Sequence, residues 1–231
     1  MVGPRTLRYR RDVQRRAGML VKICGITRLE DAEAAVAFGA GALGFVFWPK
    51  SPRFIDPFRA RAIVAALPPL VATVGVFVNQ PADYVNGVAS LVGLSAVQLH
   101  GDETAAFAGL MRRPVIKAIG AIGAIGLGHN GAGEIAAAWS ERFTILLDAH
   151  DPEQRGGTGQ TIDWTAAASV AAARRVLLAG GLTPDNAAEA VRRVRPFGID
   201  VSSGVEAKPG VKDHGKLRDL FHAINDHTPR P

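Results

Sequence analysis

Cysteine is nearly absent: the 231-residue chain holds one, Cys24. A lone thiol closes no internal disulfide, so the cysteine usage implies no oxidising compartment. Aromatic residues reach only 6%, which suits close helix-on-sheet packing better than an aromatic nucleic-acid platform. No apolar run approaches the roughly 20 residues that cross a bilayer. Clustered charge is also missing from the body of the chain. Six of the 27 Lys and Arg, and one of the 21 Asp and Glu, fall in residues 1–18, which leaves 21 against 20 elsewhere. A near-neutral body offers no basic face to phosphate backbones. The expectation is a soluble cytoplasmic protein that binds no nucleic acid and no membrane, with no obligate protein partner evident.

Residues 1–18, MVGPRTLRYRRDVQRRAG, lack the apolar stretch of a secretory signal, and they are poor in acid yet free of serine. They read as a basic, disordered N-terminal extension. A targeting segment and an RNA-binding arm are the alternatives. Residues 19–231 then form one domain, because no linker or composition break divides them.

What the chain does have is a repeat. Eight short runs rich in Val, Ile and Leu (LVKICGI, ALGFVF, VATVGVFV, AVQLHG, VIKAIGA, TILLDA, VLLAGG and GIDVSSGVE) alternate with amphipathic stretches from RLEDAEAAVAFGA to HGKLRDLFHAIN. Near-continuous apolar strands alternating with helices imply a covered parallel sheet. Eight units in this length predict a single (β/α)₈ TIM barrel. A doubly wound open sheet is the competitor, but the first strand lacks a GxGxxG fingerprint. Two helix starts are marked: Thr27 with Glu30 has capping-box spacing, and Thr183 precedes a proline.

In such a barrel, chemistry sits at the C-terminal strand ends. Cys24 ends the first strand, as either a small core hydrophobe or a reactive thiol. Asp148 ends TILLDA, where burial favours a general acid; the bland reading is a loop cap. His100 ends the fourth strand, and Arg53 follows the second in the loop WPKSPR, where its fork either clamps a carboxylate or lies solvated. Gly180, Gly181, Ser203 and Gly204 follow the seventh and eighth strands, where barrels of this kind hold phosphate on backbone N–H groups; otherwise they simply make tight turns. Lys22 shares a strand face with Cys24 and needs a carboxylate, for which Asp200 is a candidate. The loop HDPEQRGGTGQT, residues 150–161, is long enough for a lid or a plain surface loop. No zinc-ligand spacing and no phosphate-loop fingerprint occurs, so neither a metal nor a cofactor is expected.

The segments VKICGIT, GFVFWPKSPRFI, VGVFVN, VQLHG, LLDA with GGTGQTIDW, LAGGLTPDN, and GIDVSSGVE with PGVKD resemble the phosphoribosylanthranilate isomerase family, in the family's order from about Val21 to Phe221. The resemblance implies a TIM-barrel isomerase of tryptophan biosynthesis working without cofactor or metal on a small phosphosugar. Its reaction is the Amadori rearrangement of N-(5-phosphoribosyl)anthranilate to 1-(2-carboxyphenylamino)-1-deoxyribulose 5-phosphate. Carried over by position, it implies Cys24 as general base, Asp148 as general acid, and Arg53 and His100 at the anthranilate part. Gly180, Gly181, Ser203 and Gly204 match its phosphate loops. A base at Cys24 calls for a lowered thiol pKa, for which a helix N-terminal dipole and nearby cations such as Lys22 or Arg53 are the expected causes. The histidine-pathway isomerase is similar but carries an aspartate where Cys24 stands. The lysine pattern of indoleglycerol-phosphate synthase is missing, and a catalytically silent phosphosugar binder does not explain Cys24 together with Asp148.

Overall fold

The computed structural model of the protein describes residues 19–120, 134, 136–148 and 164–226. The basic N-terminal segment and the glycine-bearing loop 150–161 lie outside the described residues. Eight strands run β1 (Leu20–Cys24), β2 (Ala42–Val46), β3 (Ala72–Phe77), β4 (Ala96–Leu99), β5 (Val115–Gly120), β6 (Thr144–Asp148), β7 (Val176–Leu178) and β8 (Gly198–Val201). They pair in sequence order, and β1 closes on β8 through Val21 against Ile199 and Lys22 against Asp200, all parallel. The expected barrel is therefore present, with each expected strand in its place.

Helices α1 (Leu29–Phe38), α2 (Pro57–Ala66), α3 (Ala82–Val92), α4 (Ala105–Ala108), α5 (Trp164–Ala173), α6 (Ala187–Val194) and α7 (His214–Asp226) follow their strands on the outside. The strand period of two separates two environments. Outward residues such as Ile23, Phe45, Phe77, Leu99 and Ile145 are fully buried beneath the helices in one continuous cluster. Each such side chain stabilises the fold by roughly 1.5–3 kcal/mol. Inward residues fill the barrel, with Ala118, Leu146, Leu177 and Ala179 packed together. At the mouth, Cys24, Val46 and Val76 pack with Trp48.

Several local expectations give way to tertiary demands. Thr27 makes no capping box; its hydroxyl donates to the Gly210 carbonyl, and Arg28 stands at the α1 N-cap without a side-chain bond. α6 begins at Ala187, after a turn in which the Asn186 side chain accepts from the Thr183 N–H. The stretch after β4 keeps only the short α4, because Asp102 and Glu103 are drawn off to other partners. Glu103 accepts from the backbone of Asn79 and Gly101 and from Lys117, and Asp102 bonds the Asn79 side chain. The final run GIDVSSGVE is a strand only to Val201. It continues as a 3₁₀ turn, Ser203–Val205, and then a small antiparallel pair, β9 (Glu206–Lys208) and β10 (Val211–Lys212).

Candidate active site

The mouth of the barrel holds one cavity whose lining includes Cys24, Arg53, His100, Asp148, Gly180, Gly181 and Ser203. Seven of the eight residues singled out by sequence thus converge. Gly204 is not in the lining. A Cβ there would come within 1.9 Å of the Leu182 carbonyl oxygen, so it lets the turn after β8 pack against the loop after β7.

Cys24 sits 8% exposed at the end of β1. Its in-register partner on β2 is Gly44, and a Cβ at Gly44 would lie 2.7 Å from the Cys24 Sγ and 3.0 Å from the Lys22 Nζ. The thiol and the ammonium thus share space that only a glycine leaves open. Lys22, 1% exposed, also donates to Asp200 Oδ1 at 2.8 Å, which makes Asp200 the expected carboxylate partner. Burial alone would lower the Lys22 pKa, but the charges of Asp200 and the Cys24 thiolate outweigh it and raise it.

The expectation of a lowered thiol pKa is overturned. Burial pushes the Cys24 thiol up, Lys22 pulls it down, and burial prevails. Arg53, the other expected cation, has its guanidinium committed elsewhere. Its Nε donates to Glu206 Oε1 at 2.9 Å and its Nη2 to Glu206 Oε2 at 2.8 Å. The expected fork on a substrate carboxylate is therefore already closed on a protein carboxylate. Arg53 still lines the cavity, with its stem lying over Gly25, whose φ of +78° and missing side chain make room. Lys212 holds the same Glu206 at 2.9 Å and donates to the Ser202 carbonyl at 3.2 Å.

On the other strands, His100 Nε2 lies 3.4 Å from Asp148 Oδ2, with both side chains 14% exposed. Gln98, two residues earlier on the same face of β4, places its Nε2 2.9 Å from His100 Nδ1. After β7, Gly180 and Gly181 take φ of +85° and +61°, a left-handed course that glycine adopts without strain. Ser203 lines the same cavity.

Gln98 and Glu206 were not chosen from the sequence. A period of two from His100 points to Gln98. Glu206 carried no local signal, because its partner Arg53 is 153 positions away. Among the described residues, no group of three His, Cys, Asp or Glu side chains is arranged to hold a metal ion, and no helix is long and apolar enough to cross a membrane.

Known proteins share both the sequence and this architecture. The chain is 51% identical over 201 residues to N-(5'-phosphoribosyl)anthranilate isomerase of Citrifermentans bemidjiense, covering 87% of this chain and 94% of the relative. The crystal structure of phosphoribosyl anthranilate isomerase from Thermotoga maritima superposes with a TM-score of 0.81 at 44% identity, over 90% of this chain and 99% of that one. A second such structure, in complex with reduced 1-(o-carboxyphenylamino)-1-deoxyribulose 5-phosphate, gives a TM-score of 0.79 at 43% identity, with the same coverage. The model of the N-(5'phosphoribosyl)anthranilate isomerase family matches residues 21–223, and the chain belongs to that family.

Proposed function

We propose that Cys24 is the general base and Asp148 the general acid of the isomerisation of N-(5'-phosphoribosyl)anthranilate. The protein is an isomerase of tryptophan biosynthesis whose substrate is a small phosphosugar. The observation that carries the residue roles is that the only cysteine of the chain and the strand-end Asp148 line one cavity at the catalytic end of the barrel.

Asp148 gives its proton to the ribose ring oxygen. The bond from that oxygen to the anomeric carbon breaks, and the anilino nitrogen supplies the electron pair that forms the protonated Schiff base. The Cys24 thiolate then takes the proton from the neighbouring carbon. Those C–H electrons form the carbon–carbon double bond of the enolamine, and the iminium electrons return to nitrogen. Tautomerisation of the enolamine yields the ketone, and the proton on Cys24 passes through water back to Asp148, so substrate and protein both keep their atom count. Burial makes the thiolate scarce but a stronger base once formed, and Lys22 is the cation that stabilises it.

Gly180, Gly181 and Ser203 hold the phosphate on the backbone after β7 and β8, and Gly204 allows those two loops to meet. Arg53, held by Glu206, presents its remaining N–H edge to the anthranilate part, and His100 lines that end beside Asp148. The test is a fluorescence assay on freshly prepared phosphoribosylanthranilate with wild type, Cys24→Ser and Asp148→Asn. Turnover by the wild type and its loss in both variants is the expected result. Wild-type rates in both variants would sink the assignment, and an inactive wild type would sink the function.

A further inference from the structure

The Gln98 side chain is 1% exposed inside the barrel, and its amide is satisfied at one end only. Its Nε2 meets His100 Nδ1 at 2.9 Å, while its Oε1 is buried with no partner among the described residues. A buried amide oxygen without a donor costs free energy, so the amide has an incentive to turn when His100 offers an Nδ1–H. His100 in turn directs Nε2 to Asp148 Oδ2 at 3.4 Å, a separation of the kind that tightens when substrate binds. Gln98, His100 and Asp148 therefore form a line from the barrel core to the reacting end of the site.

A glutamine amide presents a donor or an acceptor according to how it is turned, and each choice dictates the protonation of the imidazole. With Nε2 of Gln98 donating, His100 Nδ1 is the acceptor, and the ring carries its proton on Nε2, facing Asp148. That arrangement suits a neutral imidazole beside a carboxylate. With the amide turned by half a rotation, Oε1 accepts from an Nδ1–H. His100 and Asp148 then hold one further proton between them, as imidazolium with carboxylate or as imidazole with carboxylic acid. This second arrangement holds, between His100 and Asp148, the proton that goes to the ribose ring oxygen.

We propose that Gln98 is a positioning residue whose amide turns with the protonation of the His100–Asp148 pair and holds the loaded form ready for ring opening. The proposal rests on the reading of Asp148 as the general acid. Loading takes one proton from water and turns Oε1 toward Nδ1–H. Ring opening passes one proton from Asp148 to the substrate, after which the amide returns to the arrangement in the structure. The proton that Cys24 removes from the substrate is released to water, so the uptake by the His100–Asp148 pair is balanced over the cycle. The other titratable or charged groups that face this cavity among the described residues are Cys24, Arg53 and Asp200, with Lys22 joining Cys24 to Asp200.

The experiment is nitrogen-15 NMR of histidine-labelled protein, with the His100 signals assigned through His100→Gln, alongside kcat and KM. Wild-type His100 should show the Nε2–H tautomer at high pH. Gln98→Glu, an acceptor only, should hold the ring proton on Nδ1. Gln98→Met, which provides neither donor nor acceptor, should leave a mixture of tautomers and lower kcat about 10- to 100-fold at little cost in KM, the loss typical of a group that orients an active residue. In an Asp148→Asn background, Gln98→Met should cost nothing further. Identical His100 titration and tautomer in wild type and both variants overturns the proposal, as does an unchanged kcat in Gln98→Met. A loss confined to melting temperature assigns Gln98 a structural part and overturns it too. The NMR result needs no turnover, so an inactive wild type, which ends the isomerase reading, is distinguishable from a failure of the Gln98 role.

Discussion

The Lys22 ammonium reaches 2.8 Å to the Asp200 carboxylate across the seam where the first strand of the barrel meets the last. Replacing Lys22 with Met leaves that carboxylate buried without its cation, a loss of about 3–5 kcal/mol by the usual measure of a broken buried pair. Urea unfolding of Lys22→Met checks the figure. The same ammonium pulls down the Cys24 thiol. Since no other cysteine competes, iodoacetamide alkylation followed against pH reports on Cys24 alone. Its midpoint is expected above the free thiol value of about 8.5, and higher still in Lys22→Met.

Cys24→Ser and Asp148→Asn are expected to lower kcat by about 10²–10⁴-fold each, the range for general base and general acid help. KM should move little, because neither group is assigned to holding the phosphate or the anthranilate. Steady-state kinetics on the two variants separates these effects. A rise in KM with kcat intact would instead make them binding residues.

Gly204→Ala would drive a methyl group into the Leu182 carbonyl, and backbone cannot step aside as a flexible side chain does. The two loops proposed to hold phosphate must then separate. A stability loss of about 1–3 kcal/mol is expected from the overpacking, together with a higher KM and a smaller change in kcat. Thermal unfolding and kinetics on the same preparation check both.

Glu206 provides a pH dependence. Burial raises its carboxyl pKa, but the bonds from Arg53 and Lys212 outweigh burial and leave it below the ordinary value. A depressed folded pKa contributes stability that is present above the unfolded value of about 4.3 and is lost as the pH falls through the folded one. Acid unfolding of the wild type should therefore steepen below about pH 4.3, while Glu206→Gln should be less stable at neutral pH and show a flatter acid limb. Unfolding midpoints from pH 7 to pH 3 decide it.

Arg174 donates Nη1 to the carbonyls of Ala136 and Trp139, and Nη2 to those of Ser140 and Phe143. It collects the carbonyls of the chain that leads into β6. Arg174→Ala is expected to cost about 1–3 kcal/mol through the stranded acceptors, with kcat unchanged, since Arg174 does not line the cavity. Chemical denaturation beside an activity assay tests both halves.

The barrel was legible in the chain because its signal is periodic. Apolar runs such as TILLD and GIDV recur at helix-length intervals, and each became a strand. The site was legible because the barrel rule converts strand ends into neighbours: Cys24 and Asp148 lie far apart in sequence yet line one mouth. Pairings made through tertiary contact were less visible. Lys22 advertised its need for a carboxylate, and Asp200 stood three residues before the chosen Ser203. Glu206 gave no such hint, since it lies past a turn read as plain strand. The thiol pKa was misjudged for a related reason: a nearby lysine is visible in the sequence, whereas the burial that outweighs it belongs to the assembled barrel. Thr27 shows the opposite failure, a good local motif given up for a more distant carbonyl.

Ser203, at the proposed phosphate grip, and Glu206, which fixes Arg53, are three positions apart on the short turn that leaves β8. One stiff piece of chain, tied down by Lys212 and by the small β9–β10 pair, therefore sets the spacing between the two ends of the substrate bed. On the proposed roles of Ser203 and Arg53, the turn works as a ruler: a sugar phosphate carrying an aryl group too short or too long for that span should satisfy one end only.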